Sequence, residues 1–162
     1  MKSTLTVTEL FKAAGLQPSG PVPWLKPVPE KSPGVYVVAI VPTADGDCDP
    51  IDVSDLPIEI TARWNESQPV IYVGRASKSI SRRISQFYQH RYENRSPHRG
   101  GRDVLLLKCA LWVYWSPTDN YDKAENVMIE AFKAAVGRLP FANRMRSARV
   151  GMGTTKSMVK SA

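Results

Sequence analysis

The sequence has little cysteine and little histidine, with two residues of each among 162. The two cysteines form no disulfide framework, and the cysteines and histidines together do not show the spacing of a structural zinc site. No apolar run approaches the roughly 18 residues that span a bilayer. Residues 1–4 also lack the apolar stretch of a secretory signal. We therefore expect a cytoplasmic protein that does not associate with a membrane.

Hydrophobic residues make up 43% of the chain and charged residues 23%. This balance provides enough apolar side chains for a core and argues against a disordered protein. A length of 162 residues fits one domain with an appended segment.

The net charge is +7, and it is unevenly distributed. Residues 75–102 hold eight basic residues and one acid, and residues 138–160 hold six basic residues and no acid. Residues 45–59, by contrast, hold six acids and no base. Basic residues confined to segments favour a polyanion as partner, and arginine, which dominates the first stretch, is the better phosphate ligand. A soluble protein with a merely basic surface is the alternative.

Hydrophobic periodicity predicts alternating strands and helices in a domain of the α/β or α+β class. Strands are predicted at 34–41, 70–74 and 104–115, with 58–63 as a further candidate, and helices at 6–15, 79–91 and 120–136. Residues 17–33 hold six prolines and are expected to form an extended connector. A loop is expected at 92–103.

Glu125 lies on the apolar side of its predicted helix. It follows Tyr121 by four residues and precedes Met128 by three, which places all three residues on one helical face. Burying an unpaired charge costs several kcal/mol, so a charge at such a position needs an ion, a cleft or an opposite charge.

Arg83 shows the same pattern on the helix predicted at 79–91. It follows Ile80 by three residues and precedes Phe87 by four, whereas Arg82 falls on the polar side. Two interpretations are open: a functional cleft lined by Arg83 and Glu125, or a buried salt bridge between them that only links two helices.

Tyr36 and Tyr72 lie on apolar strands, each close to a glycine, Gly34 or Gly74. A strand tyrosine is ordinarily part of the core, but a phenol can also donate, accept or relay a proton. Two phenols, an arginine and a glutamate at inward positions together indicate a candidate site for phosphate hydrolysis.

The residue order resembles a known family. The triplets at 34–36 (Gly-Val-Tyr) and 72–74 (Tyr-Val-Gly) are similar to the pair that names the GIY-YIG nucleases. In that family an arginine on the next helix, a glutamate on a later helix and an asparagine soon after a proline follow the triplets. Here these residues are Arg83, Glu125 and Asn143.

Two features depart from the family pattern. The gap between the triplets is long and acidic, as in the more elaborated restriction-enzyme and phage branches. Many members also carry a histidine or tyrosine one turn after the arginine. That position is Phe87 here, with Tyr88 and His90 nearby as alternative proton-handling residues.

The resemblance implies a three-stranded, mainly antiparallel sheet flanked by helices, to which the sequence itself adds an N-terminal helix and an insertion. It also implies an endonuclease that hydrolyses DNA phosphodiesters with one divalent cation, Mg²⁺ or Mn²⁺. Glu125 is the implied metal ligand, and Arg83 the residue that stabilises the pentavalent phosphate. Tyr36, assisted by Tyr72, is implied to orient or deprotonate the attacking water.

Further residues are candidates for substrate binding. Arg75 directly follows the second triplet and is expected to position a phosphate, whereas Asn143 either orients substrate or fixes a turn. His98 lies in a basic, glycine-containing loop and either contacts DNA or is an ordinary surface residue. Arg82 and His90 complete the set.

We predict three segments: an N-terminal helix and connector at 1–32, the nuclease domain at 33–144, and a basic tail at 145–162. The expected partner is DNA, with RNA as the alternative. Two other functions remain open. One is a non-catalytic nucleic-acid-binding module on the same fold, and the other is a structural protein in which Arg83 and Glu125 form a core ion pair.

Overall fold

A computed structural model describes residues 4–92 and 99–144, which contain a four-stranded antiparallel sheet with helices on both faces. The strand order across the sheet is β1-β4-β2-β3. The strands are β1 Ser19–Pro23, β2 Gly34–Ala39, β3 Val70–Ala76 and β4 Trp112–Pro117, and the helices are α1 Val7–Ala13, α2 Ile58–Thr61, α3 Ile80–Gln89 and α4 Tyr121–Val136.

β2 is the interior strand that its apolar sequence predicts. It pairs with β3 on one side and with β4 on the other, and all six of its residues are buried. Val35 and Val37 pack in the layer that contains α1 and α4, whereas Tyr36 and Val38 pack in the layer that contains α3. Tyr36 is therefore presented on the α3 side of the sheet.

The predicted helices at the two ends of the fold are confirmed. α1 starts at a capping box in which Thr6 and Glu9 each bond the other's backbone N–H. α4 ends at Gly137, whose φ of 100° is the left-handed conformation that glycine adopts readily. Among the described residues, no helix is both long and apolar enough to cross a bilayer.

The sheet has four strands rather than three. The additional strand, β1, comes from the proline-rich segment that was expected to be only a connector, and it pairs with β4 through Val22 and Val113. β1 lies at the edge of the sheet, where one side of the strand needs no N–H donors, so Pro21 and Pro23 are tolerated there.

The strand prediction at 58–63 is wrong, because residues 58–61 form the short helix α2. The alternation of Ile58 and Ile60 suggested a half-buried strand. Pro57 instead starts a helical turn, and its carbonyl accepts hydrogen bonds from the N–H groups of Ile60 and Thr61. Ile60 is buried, but Ile58 is 83% exposed.

The strand prediction at 104–115 began too early. A 3₁₀ helix spans Arg99–Leu106, partly within the expected loop, and β4 begins only at Trp112. Asp103 is fully buried in this 3₁₀ helix and forms ion pairs with Arg63 at 2.6 Å and Arg144 at 2.8 Å. These long-range pairs, which local sequence does not reveal, favour a compact turn here. The predicted tail at 145–162 lies outside the described residues.

Candidate active site

Tyr36 and Gly74 are direct cross-strand partners. The Tyr36 ring lies so close to the glycine that a Cβ atom at position 74 would stand 2.4 Å from the ring Cζ and 2.5 Å from the hydroxyl oxygen. Because Tyr36 is fully buried, its ring has little room to move aside. The glycine of the second triplet therefore provides the space for the tyrosine of the first.

Tyr72 lies beside Tyr36, with 6.1 Å between the ring centroids. Its ring packs against Gly101, where an added Cβ would come within 2.7 Å of the Tyr72 Cζ. The Phe87 ring stands nearly perpendicular to that of Tyr72 at 5.6 Å and also contacts Tyr36. Gly74, Gly101 and Phe87 thus pack closely against the two phenol rings.

The Tyr36 hydroxyl is affected by three other residues of the predicted site. Burial raises its pKa well above the ordinary value, Tyr72 raises it further, Arg83 lowers it, and the negative charge of Glu125 raises it. In the described part of the chain no group meets this hydroxyl with hydrogen-bond geometry, although Arg83 lies close enough to influence it. Tyr72 and Arg83 therefore lie beside the Tyr36 hydroxyl, and Glu125 is near enough for its charge to act on it.

Arg83 lies on helix α3, which places it near the Tyr36 hydroxyl. The Ser79 hydroxyl caps the helix by accepting a hydrogen bond from the Arg82 N–H at 3.2 Å. Arg83 is half-buried and Arg82 is exposed, as their helical phase predicts. Arg82 therefore lies on the solvent side of α3 and not with the four converging residues.

Glu125, which is only 5% exposed, is held by Arg75. The Arg75 Nη1 atom lies 2.7 Å from Glu125 Oε1, and its Nε atom lies 2.7 Å from Asp122 Oδ1. Desolvation lowers the Arg75 pKa, but the two carboxylates outweigh that effect and the pKa is raised. Arg75, expected to position a phosphate, here bridges two carboxylates.

The remaining predicted residues lie in different surroundings. The Asn143 amide accepts from the Val73 N–H and donates to the Val73 carbonyl, both at 2.9 Å, so it anchors the chain that follows α4 to β3. His90 is buried at the end of α3, where its backbone N–H bonds the Phe87 carbonyl. His98 lies outside the described residues.

Tyr88 is directed away from the two site tyrosines. Its hydroxyl donates to the Lys26 carbonyl at 2.6 Å, and its ring packs against Trp24. The α3 ring in contact with both Tyr36 and Tyr72 is that of Phe87, which has no exchangeable proton. Of Phe87 and the proton-handling candidate Tyr88, it is therefore the apolar Phe87 that packs next to the phenols.

Glu125 and Asp122 are the carboxylates that could hold a hydrated divalent cation. No group of three or more His, Cys, Asp or Glu side chains suited to a metal occurs in the described ranges. Mg²⁺ keeps several of its waters, however, and is commonly held by one or two carboxylates. Glu125 and Asp122 lie on one face of α4, where both contact the Arg75 guanidinium, and they provide two such carboxylates.

Sequence reasoning did not identify Asp122 or Gly101. Asp122 precedes Glu125 by three residues, so helical spacing alone was a usable signal for it. Gly101 is distant in sequence from Tyr72, and no local pattern predicts their contact.

Comparison of the chain with protein-family models, with curated proteins and with solved structures finds no match.

Proposed function

We propose that this protein is a metal-dependent endonuclease of the GIY-YIG type that hydrolyses DNA phosphodiester bonds. One arrangement supports the proposal: the Tyr36 and Tyr72 rings lie 6.1 Å apart, and Arg83 and Glu125 are near enough for their charges to shift the pKa of the buried Tyr36 hydroxyl. These are the residues that the GIY-YIG pattern names, and they come from β2, β3, α3 and α4. A single point of convergence for two phenols, a guanidinium and a carboxylate suits phosphoryl chemistry.

Glu125, together with Asp122, would hold the divalent cation. When bound there, the ion would supply Lewis-acid chemistry that offsets charge on the leaving oxygen, an effect of several kcal/mol. Arg83 is half-buried beside the phenols, where it can donate hydrogen bonds to a phosphoryl oxygen as negative charge develops.

Tyr36 acts in its protonated form. Because burial raises the Tyr36 pKa well above its ordinary value, the hydroxyl keeps its proton at neutral pH. Its oxygen still has lone pairs that can accept a hydrogen bond from the attacking water. The hydroxyl is closed to solvent in this structure, so a water meets it only after the side chains around it part. We assign Tyr36 to orienting that water, with Tyr72 beside it in support.

The proposal is tested with Glu125→Gln in a plasmid-nicking assay. Purified protein is expected to nick supercoiled DNA with Mg²⁺ or Mn²⁺. The variant is expected to be at least about a hundredfold slower, because losing a metal ligand removes several kcal/mol of stabilisation. Glu130→Gln is the matched control, since Glu130 is an exposed acid on the same helix. A wild-type protein that binds DNA but cuts none of its forms with any divalent cation contradicts the proposal.

A non-catalytic nucleic-acid-binding module is the second candidate function. The observation that favours it is the Arg75–Glu125 ion pair, because a neutralised carboxylate need not hold a cation. This function predicts salt-dependent DNA binding that Glu125→Gln leaves unchanged, with no cleavage by the wild-type protein.

A further inference from the structure

Arg75 occupies the carboxylates that a cation would need. Its guanidinium lies 2.7 Å from an oxygen of Glu125 and 2.7 Å from an oxygen of Asp122. The Arg75 side chain is 33% exposed, whereas that of Glu125 is 7% exposed. A solvent-borne ligand can therefore reach the guanidinium more easily than the glutamate behind it.

A divalent cation and this guanidinium compete for the same oxygens. Both are positively charged, so an ion bound at Glu125 and Asp122 would also repel Arg75 across a few ångströms. A phosphodiester, by contrast, offers the guanidinium two oxygens in the fork geometry that arginine prefers. A nucleic-acid phosphate is thus a suitable alternative partner for Arg75.

We propose that Arg75 keeps the Glu125–Asp122 pair closed to metal until a nucleic-acid phosphate draws the guanidinium away, so that metal and substrate bind cooperatively. This proposal rests on the proposed nuclease function. Arg75 is then a positioning residue that exchanges a carboxylate partner for a phosphate. Because coupling between two ligands is reciprocal, DNA tightens metal binding by the same factor by which metal tightens DNA binding.

The test measures Mn²⁺ binding to the full chain by electron paramagnetic resonance, first without DNA. Arg75→Gln removes the competing charge and is expected to bind Mn²⁺ roughly fivefold more tightly than wild type, as expected for a partly exposed ion pair worth about 1 kcal/mol. Lys133→Gln is the control, because it removes the same charge from an exposed position on α4, three turns beyond Asp122. Its Mn²⁺ affinity should equal that of wild type.

Arg75→Lys provides a second test in case the neutral Arg75→Gln variant does not fold. Lysine keeps the positive charge but lacks the planar fork that joins both carboxylates, so Mn²⁺ affinity should fall between wild type and Arg75→Gln. Melting curves establish that each variant is folded.

A second series adds a short DNA duplex to proteins that also carry Arg83→Ala, so that bound DNA stays intact. The duplex should tighten Mn²⁺ binding when Arg75 is present and have little effect with Arg75→Gln.

The outcomes separate this proposal from the proposed function. If Mn²⁺ binding is abolished by Glu125→Gln but is equally tight in wild type and Arg75→Gln, the role of Arg75 is overturned and the nuclease site stands. If no protein binds Mn²⁺, with or without DNA, the cation site is absent and both proposals fall.

Discussion

At the scale of single residues, the contact between Gly74 and Tyr36 links the two triplets physically. The phenol of Tyr36 occupies the space that any side chain at position 74 would fill. The pair explains why a tyrosine in one strand and a glycine in its neighbour belong to one pattern: they are opposite each other in the register of β2 and β3.

Gly74→Ala is therefore expected to disturb both stability and activity. A Cβ within 2.8 Å of three Tyr36 atoms forces the ring to move inside a close-packed layer, which costs about 1–3 kcal/mol. DNA nicking should fall at least about tenfold because the hydroxyl is displaced from Arg83 and Glu125. Urea denaturation and the nicking assay measure the two effects.

Tyr36→Leu provides the coupling control. Removing the ring relieves the clash, so the stability costs of Gly74→Ala and Tyr36→Leu should be less than additive in the double variant. Strict additivity, or a Gly74→Ala protein as active and stable as wild type, contradicts the close contact.

At the scale of secondary-structure elements, the features that the sequence predicted correctly are those that depend on neighbouring residues. Helical phase is local, so it identified Glu125 and Arg83 as inward residues and Arg82 as outward. β1 depends on pairing with β4, a strand about 90 residues away in sequence. The turn at Asp103 depends on ion pairs with two arginines that are also distant in sequence. No window of neighbouring residues contains that information.

Helix α2 gives an element-scale prediction from two isoleucines two positions apart. Ile60 is 5% exposed and Ile58 is 83% exposed. Ile60→Ala should destabilise the protein by about 2–3 kcal/mol through lost burial and a cavity, whereas Ile58→Ala should change stability by less than about 0.5 kcal/mol.

Urea midpoints of the two variants distinguish the helix from the strand that the alternation suggested. In a strand, Ile58 and Ile60 would share one buried face and both substitutions would be costly. Equal and large losses would therefore refute the helical turn.

At the scale of the whole molecule, Asp103 connects three parts of the chain that are far apart in sequence. Its fully buried carboxylate pairs with Arg63, just after α2, and with Arg144, beyond α4. The segment between the triplets is thereby fastened to the end of the described chain, next to the β3 edge that carries Tyr72.

Asp103→Ala should destabilise the protein by about 2–4 kcal/mol, because two arginines lose their shared buried partner. Asp55→Ala is the matched control: Asp55 and Lys108 are 63% and 84% exposed and lie 3.4 Å apart. An exposed pair of this kind contributes little, so that variant should melt with wild type. Similar melting temperatures for all three proteins would show that the Asp103 network does not hold these segments together.

The amide of Asn143 has a consequence beyond its own turn. β3 is the outer strand of the sheet on its side, and Asn143 occupies both the donor and the acceptor of Val73, as the backbone of an adjacent strand would. An outer strand with unpaired N–H and C=O groups can pair with a strand of a second molecule, which is the first step of edge-to-edge aggregation. The Asn143 amide on Val73 and the Ala142 N–H on the Ile71 carbonyl together occupy backbone groups that such an added strand would need.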